Sequence, residues 1–102
     1  EQRCGGDREL LRELIDMFLG ELPKWLAALD DALAKSDAPT AQRQAHSIKG
    51  AVSTFGAPSA REAAFVVELL CKDGKLAEVP PALVRLRETL AVLTPQLAAF
   101  RP

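Results

Sequence analysis

Residues 41–55 read Ala41-Gln42-Arg43-Gln44-Ala45-His46-Ser47-Ile48-Lys49-Gly50-Ala51-Val52-Ser53-Thr54-Phe55, and the spacing within this stretch decides how the chain folds. Ala41, Ala45, Ile48, Val52 and Phe55 recur at alternating intervals of four and three, the period of a helix with one apolar face. At roughly 100° per residue, His46 falls about 140° from the centre of that stripe and Gly50 about 180° from it, so both face outward. Gln42, Lys49 and Ser53 share the side of His46. The imidazole, the protein's one histidine, is therefore expected on an open and slightly positive surface.

Glycine inside a helix costs ~1 kcal/mol relative to alanine, so Gly50 calls for a compensating use. Close approach of another molecule to His46, one turn earlier, supplies it. Lys49, at i+3, places an ammonium beside the ring, where an anion such as a phosphoryl group fits. An exposed imidazole is a competent nucleophile near neutral pH without an added general base.

The rest of the chain is read outward from this helix. Its 102 residues suit one domain with a modest core. Nearly half of them are hydrophobic (48%), Ala and Leu dominate and tyrosine is absent, which favours helices over strands. A net charge of −1 and the lack of basic clusters interleaved with aromatics argue against nucleic acid. Cys4 and Cys71 are far apart, with no CxxC pair and a single histidine, so no metal site is expected. Two scattered cysteines suit a reduced, cytoplasmic setting. No apolar run approaches the ~20 residues of a membrane span, so no direct membrane contact is expected.

Residues 1–6 read as a linker or excision remnant and residues 7–102 as the domain. Asp7 is the expected N-cap of a first helix carrying Leu10, Leu11, Leu14, Ile15, Phe18, Leu19 and Leu22 on its apolar face. Gly20 and Pro23 predict a bend near Glu21, followed by a second helix with Trp25, Leu26, Leu29 and Leu33 inward. Ser36 to Thr40 forms a capped turn that opens the His46 helix, and Gly56 closes it in the left-handed C′ position. A fourth helix spans about Pro58 to Lys72, presenting Ala63, Ala64, Val67, Leu70 and Cys71, and ends at Asp73-Gly74. The last helix carries Leu83, Leu86, Leu90, Leu93, Leu97 and Phe100, with Pro95 expected to kink or end it. The fold class is all-α: an up-down antiparallel four-helix bundle with an additional N-terminal helix covering one end.

The order H-S-I-K-G-x-x-x-x-x-G, formed by His46, Lys49, Gly50 and Gly56, resembles the signature of histidine-containing phosphotransfer (HPt) domains of bacterial two-component phosphorelays. The resemblance runs from about Glu9 to about Leu93. It implies a phosphocarrier, not an independent enzyme, in which His46 accepts a phosphoryl group from a receiver-domain aspartate and passes it to another receiver. Lys49 would then offset phosphoryl charge and Gly50 give clearance. Gln42, Arg43 and Ser53 are candidate contacts to the phosphoryl group or partner, with Arg61 a further cation. The implied Mg²⁺ belongs to the receiver, and the domain itself needs no cofactor. Implied partners are response-regulator receivers and a hybrid sensor histidine kinase, in cis or in trans, with the domain acting as a monomer in the cytoplasm or as the cytoplasmic part of a membrane-bound kinase. The alternatives are the phosphoacceptor domain of a chemotaxis-type kinase and a helical binding module without phosphotransfer. A histidine-kinase dimerisation domain fits less well, because Ser47 and Gly50-Ala51 stand where an acid and a proline are usual there.

Overall fold

A computed structural model describes the backbone of residues 2–100 and the side chains of residues 8–100. Among these residues the chain forms α1 (Gln2–Ala34), α2 (Ala38–Thr54), α3 (Pro58–Lys72), a 3₁₀ turn (Leu76–Glu78) and α4 (Val79–Phe100). Each helix packs on the next in an up-down bundle, with the α2–α3 seam the most extensive. No helix is long and apolar enough to cross a membrane among the described residues.

The two helices expected before Ser36 are one, and among the described residues no separate helix covers an end of the bundle. α1 runs unbroken through Gly20 and Pro23, although Pro23 has no N–H to offer the Leu19 carbonyl. Packing supplies the reason. Ile15, Phe18 and Leu22 before the proline, and Leu29 and Ala32 after it, are buried on one continuous face. At ~1.5–3 kcal/mol for each large apolar side chain, that burial outweighs ~3 kcal/mol for a helical proline and ~1 kcal/mol for the glycine. Pro95 is likewise internal to α4, which continues to Phe100 instead of ending there. Asp7, the expected N-cap, lies inside α1. The side chains of the Glu1–Gly6 opening, Cys4 among them, fall outside the described residues.

Thirty-three residues of α-helix span about 50 Å, which matches the longest dimension of the molecule, 51 Å. α2, with 17 residues, covers about half of that, so the N-terminal part of α1 extends beyond its partner. Leu10, expected inward, is 55% exposed as a result. Phe100, at the far end of α4, is exposed for the same reason.

The core is built from α2 outward. Ala41, Ala45, Ile48 and Val52 are fully buried, as their periodicity predicts, and meet Ala60, Ala63, Ala64, Val67 and Cys71 of α3. So many alanines at one seam let the two helix axes approach closely, because interaxial distance follows side-chain size. Phe55 closes the stripe against Phe18, ring centroids 5.4 Å apart. Trp25 is half-buried at the core's rim, 6.4 Å from Phe18.

The chain reverses by one device used three times. After α2, Gly56 (φ 61°) donates to Ser53 O and Ala57 to Val52 O; after α3, Gly74 (φ 74°) donates to Cys71 O and Lys75 to Leu70 O. These are Schellman ends. After α1 the same pair of bonds runs from Ser36 to Leu33 O and from Asp37 to Ala32 O, but the left-handed residue is Ser36 (φ 55°). Asp37 then caps α2, its Oδ1 accepting from Thr40 N at 3.2 Å, and the Thr40 side chain first, with this backbone N–H second, holds its carboxyl below its ordinary value. A Cβ in the left-handed region costs roughly 1–2 kcal/mol. Ser36→Gly is therefore expected to raise the stability of the domain by ~1 kcal/mol, measured by urea unfolding with an unchanged m-value; a loss of stability would show that the Ser36 side chain contributes more than its backbone strain costs.

Candidate functional site

The close α2–α3 seam brings His46 opposite Glu68. Glu68 follows the buried Val67 on α3, at the edge of its apolar face toward α2, and its side chain is 13% exposed. Its Oε2 lies 2.8 Å from His46 Nδ1. Its Oε1 lies 2.9 Å from Lys49 Nζ. One carboxylate thus spends one oxygen on each of the two side chains singled out by their spacing in α2. The Lys49 contact is an ion pair rather than a well-angled hydrogen bond, so Oε1 is held by charge more than by direction.

Burial pushes the Glu68 carboxyl up, but the close contacts from Lys49 and His46 and their charge outweigh it, and the balance lies below the ordinary glutamate value. Glu68 is therefore ionised near neutral pH. An ionised carboxylate only accepts hydrogen bonds, so the proton in the His46 contact belongs to Nδ1, which in the neutral ring leaves the lone pair on Nε2. The ring's other side is open: the His46 side chain is 65% exposed. A carboxylate behind an imidazole fixes both its tautomer and its orientation, the arrangement that makes histidine a directed nucleophile or ligand.

Lys49 is turned toward α3. Its side chain is 20% exposed, and Nζ sits 4.9 Å from the centroid of the Phe65 ring as well as against Glu68, a cation–π contact added to an ion pair. Gly50 faces solvent, and a Cβ built on it would meet nothing within 4 Å. The fold itself does not require glycine there.

The weaker candidates are placed as follows. Arg43 Nη2 donates to Thr40 Oγ1 at 3.2 Å. Ser53 Oγ donates back to Lys49 O at 2.8 Å. Gln42 is half-buried one turn before His46, and Arg61 is exposed early in α3. The structure joins His46 and Lys49 through Glu68 and gives these four no hydrogen bond to the imidazole. The residues that sequence reasoning missed are Glu68 and Phe65. A signal for Glu68 existed: in an antiparallel pair joined by a tight turn, residues nearly equidistant from Gly56 face each other, and His46 and Glu68 are such a pair.

A shallow apolar groove of about 160 Å³ opens on the α1 side of the site, lined by Leu14, Met17, Phe18, Trp25, Ala51 and Phe55. Ala51 connects it directly to Gly50. Met17 on its wall is 64% exposed, and on the opposite flank Phe65 is 42% exposed. His46 thus stands between two apolar margins, with the bare backbone of Gly50 between them.

No group of side chains suited to a metal ion occurs among the described residues. No curated protein and no solved structure matches the chain. The family model described as Hpt domain matches residues 13–94, a span that runs from α1 to α4 and contains His46, Lys49, Gly50 and Glu68. By the fold, by the motif on α2 and by this match, the chain belongs to the Hpt domain family.

Proposed function

We propose that this domain is a phosphocarrier of a multistep phosphorelay, accepting a phosphoryl group on His46 Nε2 from a receiver-domain phospho-aspartate and passing it to the aspartate of another receiver. Hpt domains serve histidine phosphotransfer in such relays. The observation that carries the assignment to His46 is the Nδ1–Glu68 contact, which leaves an exposed ring with its lone pair on Nε2. In the forward step that lone pair attacks phosphorus in line, the N–P bond forms as the bond to the aspartyl oxygen breaks, and the carboxylate leaves with the electron pair. The return step reverses this on a second receiver. Glu68 stabilises the positive charge that develops on the ring as Nε2 bonds to phosphorus.

Mg²⁺ belongs to the receiver in this reading, and the domain brings the nucleophile and the docking surface. Gly50 admits the receiver's acidic pocket to the ring. The groove between α1 and α2 is of a size for one apolar side chain of the docked partner, with Phe65 meeting the other flank. The bundle acts as a monomer, in the cytoplasm or as the cytoplasmic part of a larger sensor kinase.

Incubation with a phosphorylated receiver is expected to place acid-labile, alkali-stable phosphate on the wild-type domain and none on His46→Gln. Label on neither protein across several receivers, with label appearing in the presence of an ATP-binding kinase domain, would replace the relay with the chemotaxis-type phosphoacceptor. Gly50→Leu is expected to stabilise the helix by ~0.5–1 kcal/mol while blocking transfer, because its side chain projects only into the approach to His46; normal transfer by a well-folded Gly50→Leu protein would end the clearance argument. Met17→Glu, a change at an exposed position, is expected to weaken receiver binding about tenfold, ~1.4 kcal/mol, with the thermal midpoint unchanged. Unaltered affinity in a titration would remove the α1–α2 groove from the interface.

A further inference from the structure

The solvent face of α3 is not polar throughout. Ala60, Ala63, Ala64, Val67 and Cys71 are buried against the bundle, whereas Phe65, Val66 and Leu69 stay 42%, 40% and 38% exposed on the opposite side. On the α3 wheel these three fall within about 100° of one another, so they form one outward stripe. Charged residues frame it, and they are sorted by sign. On the edge toward α2, where Phe65 meets Lys49, the wheel places Arg61 and Lys72. On the edge toward α4 it places Glu62 and Asp73. All four are exposed, and none has an ion-pair partner among the described residues. The α4 edge also holds a cavity of about 470 Å³ between the two helices, lined by Glu62, Ala63, Val66, Ala82 and Arg85 among others.

A face with a basic edge, an apolar centre and an acidic edge complements a copy of itself turned so that the edges exchange. A two-fold axis parallel to α3 makes that exchange. We propose that a second copy of this chain docks on this face, α3 parallel to α3. Arg61 then lies level with Glu62 of the second copy and Lys72 level with its Asp73, each contact occurring twice. Leu69, near the middle of the stripe, meets Leu69 of the second copy close to the axis. Phe65 meets the other copy's α4 edge, where the cavity opens. A helical side chain leans toward the N-terminus of its helix, which brings the ring to the level of Glu62 and into that cavity, with the Arg85 guanidinium on its wall available to the ring face. The antiparallel alternative keeps the edges in place. It sets Arg61 against Lys72 and Glu62 against Asp73 of the other copy, like charge on like, which disfavours that orientation.

The interface is small. Fifteen residues of helix extend about 22 Å, too little for the ~800 Å² per partner of a stable complex, so the dimer is weak and reversible. Phe65 is also one margin of the surface on which a receiver is proposed to dock. The dimer withholds that margin, and the monomer is the form that transfers. This consequence rests on the phosphocarrier reading; the self-association does not.

Sedimentation of the whole chain over a range of concentrations tests the proposal without any receiver. A monomer–dimer equilibrium is expected, weakened about tenfold or more by Phe65→Ala, because an aromatic anchor is lost twice per dimer. Arg61→Glu should weaken it as well, and Arg61→Glu combined with Glu62→Arg should restore it, since the edges are again opposite in sign. In a Cys4→Ser background, Leu69→Cys is expected to form a disulfide with its own copy when oxidised by glutathione disulfide, because a parallel pair holds the two Cα atoms within the ~7 Å that the bond spans; Cys71 is buried and does not compete. A chain that sediments as a monomer at every concentration would overturn the proposal, and would assign the stripe to another partner if Phe65 and Leu69 signals in nuclear magnetic resonance spectra shift when a receiver is added. A dimer indifferent to both Phe65→Ala and Arg61→Glu would equally overturn it. Failure of phosphate to reach His46 from any receiver would remove the competition with transfer and leave the sedimentation result standing.

Discussion

The contact between Glu68 and His46 is the interaction on which the rest of this structure bears. It requires a carboxylate on one helix to arrive within 2.8 Å of a ring nitrogen on another, and such a distance is reached only if the two backbones approach closely. The alanines at 41, 45, 60, 63 and 64 make that possible, since all are buried at the seam and none holds the helices apart. A bulkier seam would have given a sound bundle with an unsupported histidine. Core packing here is therefore part of the chemistry, because it sets the register and spacing that turn an exposed imidazole into a directed one.

Lys49 shows how such a contact is maintained at the edge of a core. A carboxylate that is only 13% exposed is costly to keep charged, and a second charge at 2.9 Å offsets that cost where water is largely excluded. The aromatic face of Phe65 limits the lysine's freedom without competing for its charge. Four side chains on two helices thus form one unit, with His46 and Phe65 exposed and Lys49 and Glu68 lying deeper between them.

Much of this was legible in the sequence because it depends on local rules. The helical stripe of Ala41, Ala45, Ile48 and Val52 fixed which face of α2 is buried, and hence that His46 is not. Asp37, Gly56 and Gly74 marked helix ends through capping and left-handed backbone, both properties of a residue and its immediate neighbours. What was not legible depends on distant partners. Gly20 and Pro23 predicted a break in α1, but the competing term, burial of Ile15, Phe18, Leu22 and Leu29 on one face, is supplied by the other helices. Pro95 is the same case in α4. The role of Glu68 emerges only when α3 is laid against α2, and Ser36 could take the place of a glycine in the turn because that turn's backbone bonds outweigh its strain.

The glycines sharpen the argument about Gly50 and also limit it. Gly56 and Gly74 have positive φ and are explained by their turns. Gly50 and Gly20 are helical, outward-facing and free of any neighbour that a Cβ would strike, so each weakens its helix without a return visible in the fold. Mid-helix glycine by itself therefore does not mark a functional site, or Gly20 would mark one equally. What separates the two is position. Gly50 lies one turn from the proposed nucleophile, an exposed imidazole held from behind by Glu68, between an apolar groove on one flank and Phe65 on the other. Its missing side chain lowers the surface at the place where, on the proposed function, a partner would come close for in-line transfer, and that conjunction, rather than the glycine alone, gives the helix-weakening residue a use.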